Sequence, residues 1–134
     1  MPNGRWAVAA LFALAPFLLA PRVGHAVTEA NFNLASTADL VELCDAKPDN
    51  TMGVAALNFC YGFAQGAVVT EMQNMGDRAQ PNLFCLPNPL PRRSDSIGGF
   101  VQWARASPDR MSDGPTNSLI RFLADRYPCP KNAR

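Results

Sequence analysis

The sequence predicts an all-α domain of four helices, stapled by two disulfides and preceded by a cleavable signal peptide. Three observations carry that expectation. Apolar residues recur at intervals of three and four in four separate stretches, the spacing that lines one face of a helix. No stretch alternates apolar and polar residues well enough to compete as a strand. Four cysteines, an even number, follow a leader of export type, which favours two disulfides over free thiols or a metal site.

Residues 1–26 read as the leader. Arg5 supplies its positive start, residues 6–20 its apolar run, and Pro21 breaks that run. Gly24-His25-Ala26 puts small residues at the two positions a signal peptidase inspects, so cleavage is expected after Ala26. The mature chain, residues 27–134, is then a single small periplasmic domain. Val27 would be its first residue, and the absence of a cysteine there argues against a lipid anchor. Cleavage also removes His25, the only histidine. Ser-His and Cys-His nucleophiles and histidine metal sites are thereby excluded, and no cofactor is expected. Losing Arg5 and Arg22 leaves ten bases to eleven acids, no basic excess for a nucleic acid. The charge is unevenly spread: acids dominate residues 27–77 and bases dominate residues 78–134. Two faces attracting each other within the fold, or a polar partner surface, both fit that pattern.

Residues 27–35 show little periodicity and read as an extended lead-in, with Phe32 and Leu34 on the core. Ser36 or Thr37 caps a first helix, Asp39 suits its positive end, and Leu40, Val41, Leu43 and Cys44 form its stripe. Lys47-Pro48-Asp49-Asn50 is a turn. A second helix, about residues 51–74, is apolar almost all round and is expected at the centre of the fold, wrapped by its neighbours. Gly62 and Gly66, one turn apart in it, suggest a notch where another backbone crosses closely. Its run of 16 apolar-rich residues is short for a membrane span and flanked by acids, so no stable insertion is expected after leader cleavage.

Gly76 should stop that helix. Residues 77–93, with Pro81, Pro87, Pro89 and Pro91, read as an ordered crossover around Leu83-Phe84-Cys85-Leu86. Ser94 or Asp95 starts a third helix with the stripe Ile97, Phe100, Val101 and Ala104, bordered by Trp103 and ended by Pro108. Residues 107–114 form a short polar link. Pro115 then opens a fourth helix with Leu119, Ile120, Leu123 and Tyr127 inward, stopped at Pro128-Cys129-Pro130.

Four cysteines allow three pairings, and sequence alone selects none of them. Helix geometry prefers Cys44–Cys60, stapling the first hairpin, and Cys85–Cys129, closing the open end of the second. In the chain-entropy model these loops contribute roughly 3 and roughly 4 kcal/mol. Nothing in the sequence would activate a thiolate, so the role is structural.

Leu43-Cys44, Cys60-Tyr61-Gly62-Phe63 with Gly66, Phe84-Cys85-Leu86-Pro87 and Tyr127-Pro128-Cys129 stand in order, with helices between them. On these residues the chain resembles the Rap/Tai family of small periplasmic immunity proteins. The resemblance covers about residues 38–130. It implies an all-helical domain that neutralises a peptidoglycan amidase delivered by type VI secretion, often as a homodimer. It also implies that a helix-connecting loop enters the amidase site. The loop expected here is residues 107–114, with Asp109, Arg110 and Asp113 as polar anchors and Met111 as an adaptable apolar tip.

Two other functions compete. A periplasmic acid-stress chaperone of the HdeA kind is also small, helical and disulfide-bonded, but usually has fewer cysteines and lysine-rich ends; this chain has two lysines. A small hydrolase would need a positioned acid–base pair. Glu42 and Asp45, three apart on one helix, are the best candidates, and a solvated acidic face explains them more simply. The reading is a binding protein, not an enzyme.

Overall fold

The computed structural model describes residues 26–77 and 82–130. The expected leader, apart from Ala26, and residues 131–134 lie outside that range. The described residues form five α-helices and one 3₁₀ turn, without a strand, and both expected disulfides are present.

The lead-in is less extended than its sequence suggests. Residues Glu29–Asn33 make a 3₁₀ turn, with Phe32 and Leu34 half-buried against the core. Asn31 donates its side-chain amide to Asp39 at 3.0 Å, joining this turn to the first helix, α1 (Thr37–Cys44). Ser36 caps α1 reciprocally. Its hydroxyl accepts from the Asp39 N–H, and the Asp39 carboxylate accepts from the Ser36 N–H at 3.0 Å.

Although only eight residues long, α1 touches the 3₁₀ turn and every other helix. Leu40, Val41 and Leu43 are fully buried in it. It is the hub of the core. That place was expected for α2 (Thr51–Asp77), and the structure reverses the assignment. At 27 residues α2 is about 40 Å long, more than the depth of so small a domain. Its first ten residues bury Gly53, Ala56 and Cys60 against α1 and its flanking turn. Further along, Tyr61, Phe63, Ala64, Ala67 and Val68 are only half-buried against the core, Val69 and Met72 are exposed, and only 17% of the most apolar window of α2 is buried. An apolar composition gave α2 no polar face to turn outward, yet the domain has too few other residues to wrap it.

Two expectations about α2 change with this. By length and hydropathy, Thr51–Gly76 does qualify as a candidate membrane span. What ties its first half to the domain is the Cys44–Cys60 bridge and the packing on α1. Gly62 and Gly66 are exposed, and a Cβ on either would meet nothing within 4 Å among the described residues. Among the described residues no close crossing uses the notch. The glycine that does sit against another backbone is Gly53, where a Cβ would collide with the Lys47 carbonyl. The Gly53 N–H donates to the Asn50 side chain at 2.9 Å, so Asn50 caps α2 while the turn folds back over it.

Beyond the crossover, which holds a cis Asn88–Pro89 bond, α3 (Arg93–Arg105) buries Ile97, Phe100, Val101 and Ala104 as expected. The link after it is not a loop. Pro108 opens a further short helix, α4 (Pro108–Ser112), because its fixed φ suits a first helical turn as well as it ends the previous helix. Finally α5 (Pro115–Arg126) buries Ser118, Leu119, Phe122 and Leu123. Phe122, absent from the stripe read in the sequence, packs edge-on to Phe100 and Trp103. The end of α5 is tied to the crossover by Cys85–Cys129 and by the Cys85 N–H, which donates to the Tyr127 carbonyl at 2.8 Å.

Candidate functional site

The corner made by α4 and its flanks contains all four residues expected to meet a partner: Asp109, Arg110, Met111 and Asp113. The fold holds this corner from three sides. From α1, Thr37 sends both its N–H and its hydroxyl to the Asp113 carbonyl, at 2.8 and 2.9 Å. Thr37 is fully buried, so both bonds form away from water. From α5, the buried Ser118 hydroxyl donates to the Arg110 carbonyl at 3.4 Å, and Arg121 pairs with the Asp113 carboxylate. From α3, Trp103 accepts the whole Arg110 side chain. The guanidinium lies 4.1 Å from the indole centroid and donates to the Trp103 carbonyl at 2.6 Å. The Trp103 indole N–H in turn donates to Asp125 of α5 at 2.9 Å.

Two of the four residues, Arg110 and Met111, do not face fully outward in this structure. Arg110 is half-buried and engaged inward, a clasp between α4 and α3. Met111 is half-buried and packs against the core. The outward surface of the corner is Pro108, Asp109 and Ser112, all exposed, with Asp113 partly so. Trp103 and Thr37 shape this corner without any sequence signal that pairs them with it. Only a Trp at the edge of the α3 stripe hinted at an interface.

The acid pair weighed for catalysis is tied up elsewhere. Arg105 donates to Asp45 at 2.8 Å and lies 3.8 Å from Glu42. This contact links the acidic first half of the chain to the basic second half. Among the described residues no cluster of His, Cys, Asp or Glu could hold a metal ion.

A family model for Rap1a immunity proteins matches residues 36–129. The chain belongs to the Rap1a immunity protein family. No curated protein and no solved structure matches it. The matched stretch of this Rap1a family member runs from the α1 cap, Ser36, to the last cysteine, Cys129. It thus takes in every disulfide and the whole α4 corner. Membership implies a protein effector as binding partner, and the two disulfides fit an oxidising compartment.

Proposed function

We propose that this Rap1a family protein is exported to the periplasm, where it binds a peptidoglycan amidase effector of a type VI secretion system and occludes its active site with the α4 corner. The observation that carries the reading is the clamping of that corner. Three helices hold residues 108–113 through the Arg110 and Asp113 carbonyls and through the Arg110 side chain, and Pro108, Asp109 and Ser112 stay outward. A projection already ordered in the free protein loses little entropy on docking, which suits it to fill a cleft. The protein acts by occlusion and not by turnover, and the family resemblance adds a homodimer.

Isothermal calorimetry against the cognate amidase tests this. Asp109→Arg with Ser112→Arg changes two exposed side chains and leaves every bond from α1, α3 and α5 in place, removing only the exposed Ser112 hydroxyl bond to the Asp109 carbonyl. Thermal unfolding should be unchanged while affinity falls at least about tenfold, ~1.4 kcal/mol. Unchanged affinity would move the docking surface off α4.

A further inference from the structure

A second site lies along the other side of α5, sharing no lining residue with the α4 corner. The second half of α2 and the crossover flank an open groove of about 700 Å³, floored by α3 and α5. That volume falls within the usual range for small-molecule sites. Its walls include Val68, Met72, Leu86, Leu90, Ile97 and Phe122. Measured along α2, from Tyr61 to Met72, it runs for roughly 16 Å. Leu90 is 70% exposed and Met72 49% exposed, so apolar surface that would ordinarily be covered lines an open channel.

Among the described lining residues the groove carries one charge. Arg93 lies at the Tyr61 end, its guanidinium 5.7 Å from the Tyr61 ring centroid, and no carboxylate is among the described residues that line the channel. Among the described residues Arg93 makes no ion pair. The few other polar groups are Gln65, Asn88, Ser96 and the tyrosine hydroxyls.

We infer that this groove binds a fatty acid, with the acyl chain laid along α2 and the carboxylate on Arg93. Charge decides between the occupants such a groove could take. A second copy docked face to face would bring a second Arg93 into the groove and no acid from the described groove lining to meet either one, since a two-fold interface repeats the same groups. A peptide would bury a row of backbone N–H and C=O groups against walls that offer few partners, an expensive desolvation. An acyl chain needs no polar partner along its length, and its single anionic end matches Arg93, the one base among the described residues that line the groove. This site is independent of effector binding, so failure of either reading leaves the other standing.

The test is titration of the purified protein with carboxyl-labelled oleate, followed by NMR, beside oleyl alcohol as a neutral chain of equal length. Saturable binding of one oleate per chain is expected. Arg93→Gln should weaken oleate at least about tenfold and leave the alcohol little changed. Met72→Glu, which places an acid in the channel at an exposed position, should abolish both. If circular dichroism shows that Met72→Glu misfolds, Leu90→Glu serves the same purpose at a more exposed position. The absence of saturable binding overturns the inference. So does binding that ignores both substitutions, or an equal response of acid and alcohol to Arg93→Gln. A dimer that Met72→Glu dissociates, in a protein that does not take up oleate, would assign the groove to a second copy instead.

Discussion

Replacing Arg110 by glutamine separates a residue that holds the fold from one that meets a partner. In the free protein the guanidinium stacks on Trp103 at 4.1 Å and donates to the Trp103 carbonyl at 2.6 Å. A cation–π contact contributes about 0.5–1 kcal/mol when exposed and about 2 when desolvated. A hydrogen bond from a charged donor contributes about 1.5–3 kcal/mol. Arg110 is half-buried, and the two contacts share one side chain, so their values do not add in full. A loss of about 2 kcal/mol follows. For a domain of this size each kcal/mol moves the thermal midpoint by about 4–5 °C, giving a fall of roughly 8–10 °C. Thermal unfolding followed by tryptophan fluorescence and by far-UV circular dichroism measures it, with Asp109→Asn as an exposed control that should stay within about 0.5 kcal/mol of wild type. Arg110→Lys should recover only part of the loss, because an ammonium keeps the charge without the planar stack. A glutamine variant as stable as the wild type would refute the clasp and return Arg110 to the outward surface.

The two disulfides should differ in both accessibility and consequence. Cys60 is fully buried and Cys44 nearly so, while Cys85 and Cys129 are half-buried, so graded reduction with mass-resolved alkylation should open Cys85–Cys129 first. Its serine double variant should lose about 4 kcal/mol by the chain-entropy model, measured by urea unfolding, because the bridge spans 44 residues against 16 for Cys44–Cys60. Labelling of Cys44 and Cys60 first would contradict the burial pattern. Gly53→Ala should destabilise by about 1–3 kcal/mol despite alanine's better helix propensity, since the new Cβ must push the Lys47 carbonyl away; a stabilised variant would show that the turn before α2 yields freely.

Most of the helical plan is legible in the chain itself. Ser36 and Asp39 announce the start of α1, the stripe from Ile97 to Ala104 marks the buried face of α3, and Pro115 marks the start of α5. These signals are local. Capping, periodicity and proline geometry act within one or two turns, so a single sequence exposes them. The cysteine pairing is a step less local. It depends on which helix ends an antiparallel layout brings together, and both preferred bridges are present.

What tertiary structure decided is how each helix spends its apolar surface. Nothing in the sequence of α2 states that an eight-residue neighbour, α1, would take the centre and leave the long helix half in solvent. Hydrophobicity measures what burial would gain, not whether the rest of the chain is large enough to supply it. The same holds at the α4 corner. Arg110 and Met111 are polar-link residues by sequence, but Trp103 lies seven residues earlier on α3, at the distance where a guanidinium can turn inward and stack. Pro108 can end one helix or begin another, and the Thr37 bonds to Asp113, across 76 residues of sequence, hold the corner in which it begins one. The groove with Arg93 at one end belongs wholly to this class. Tyr61, Met72, Leu90 and Arg93 become neighbours only when the crossover folds back along α2.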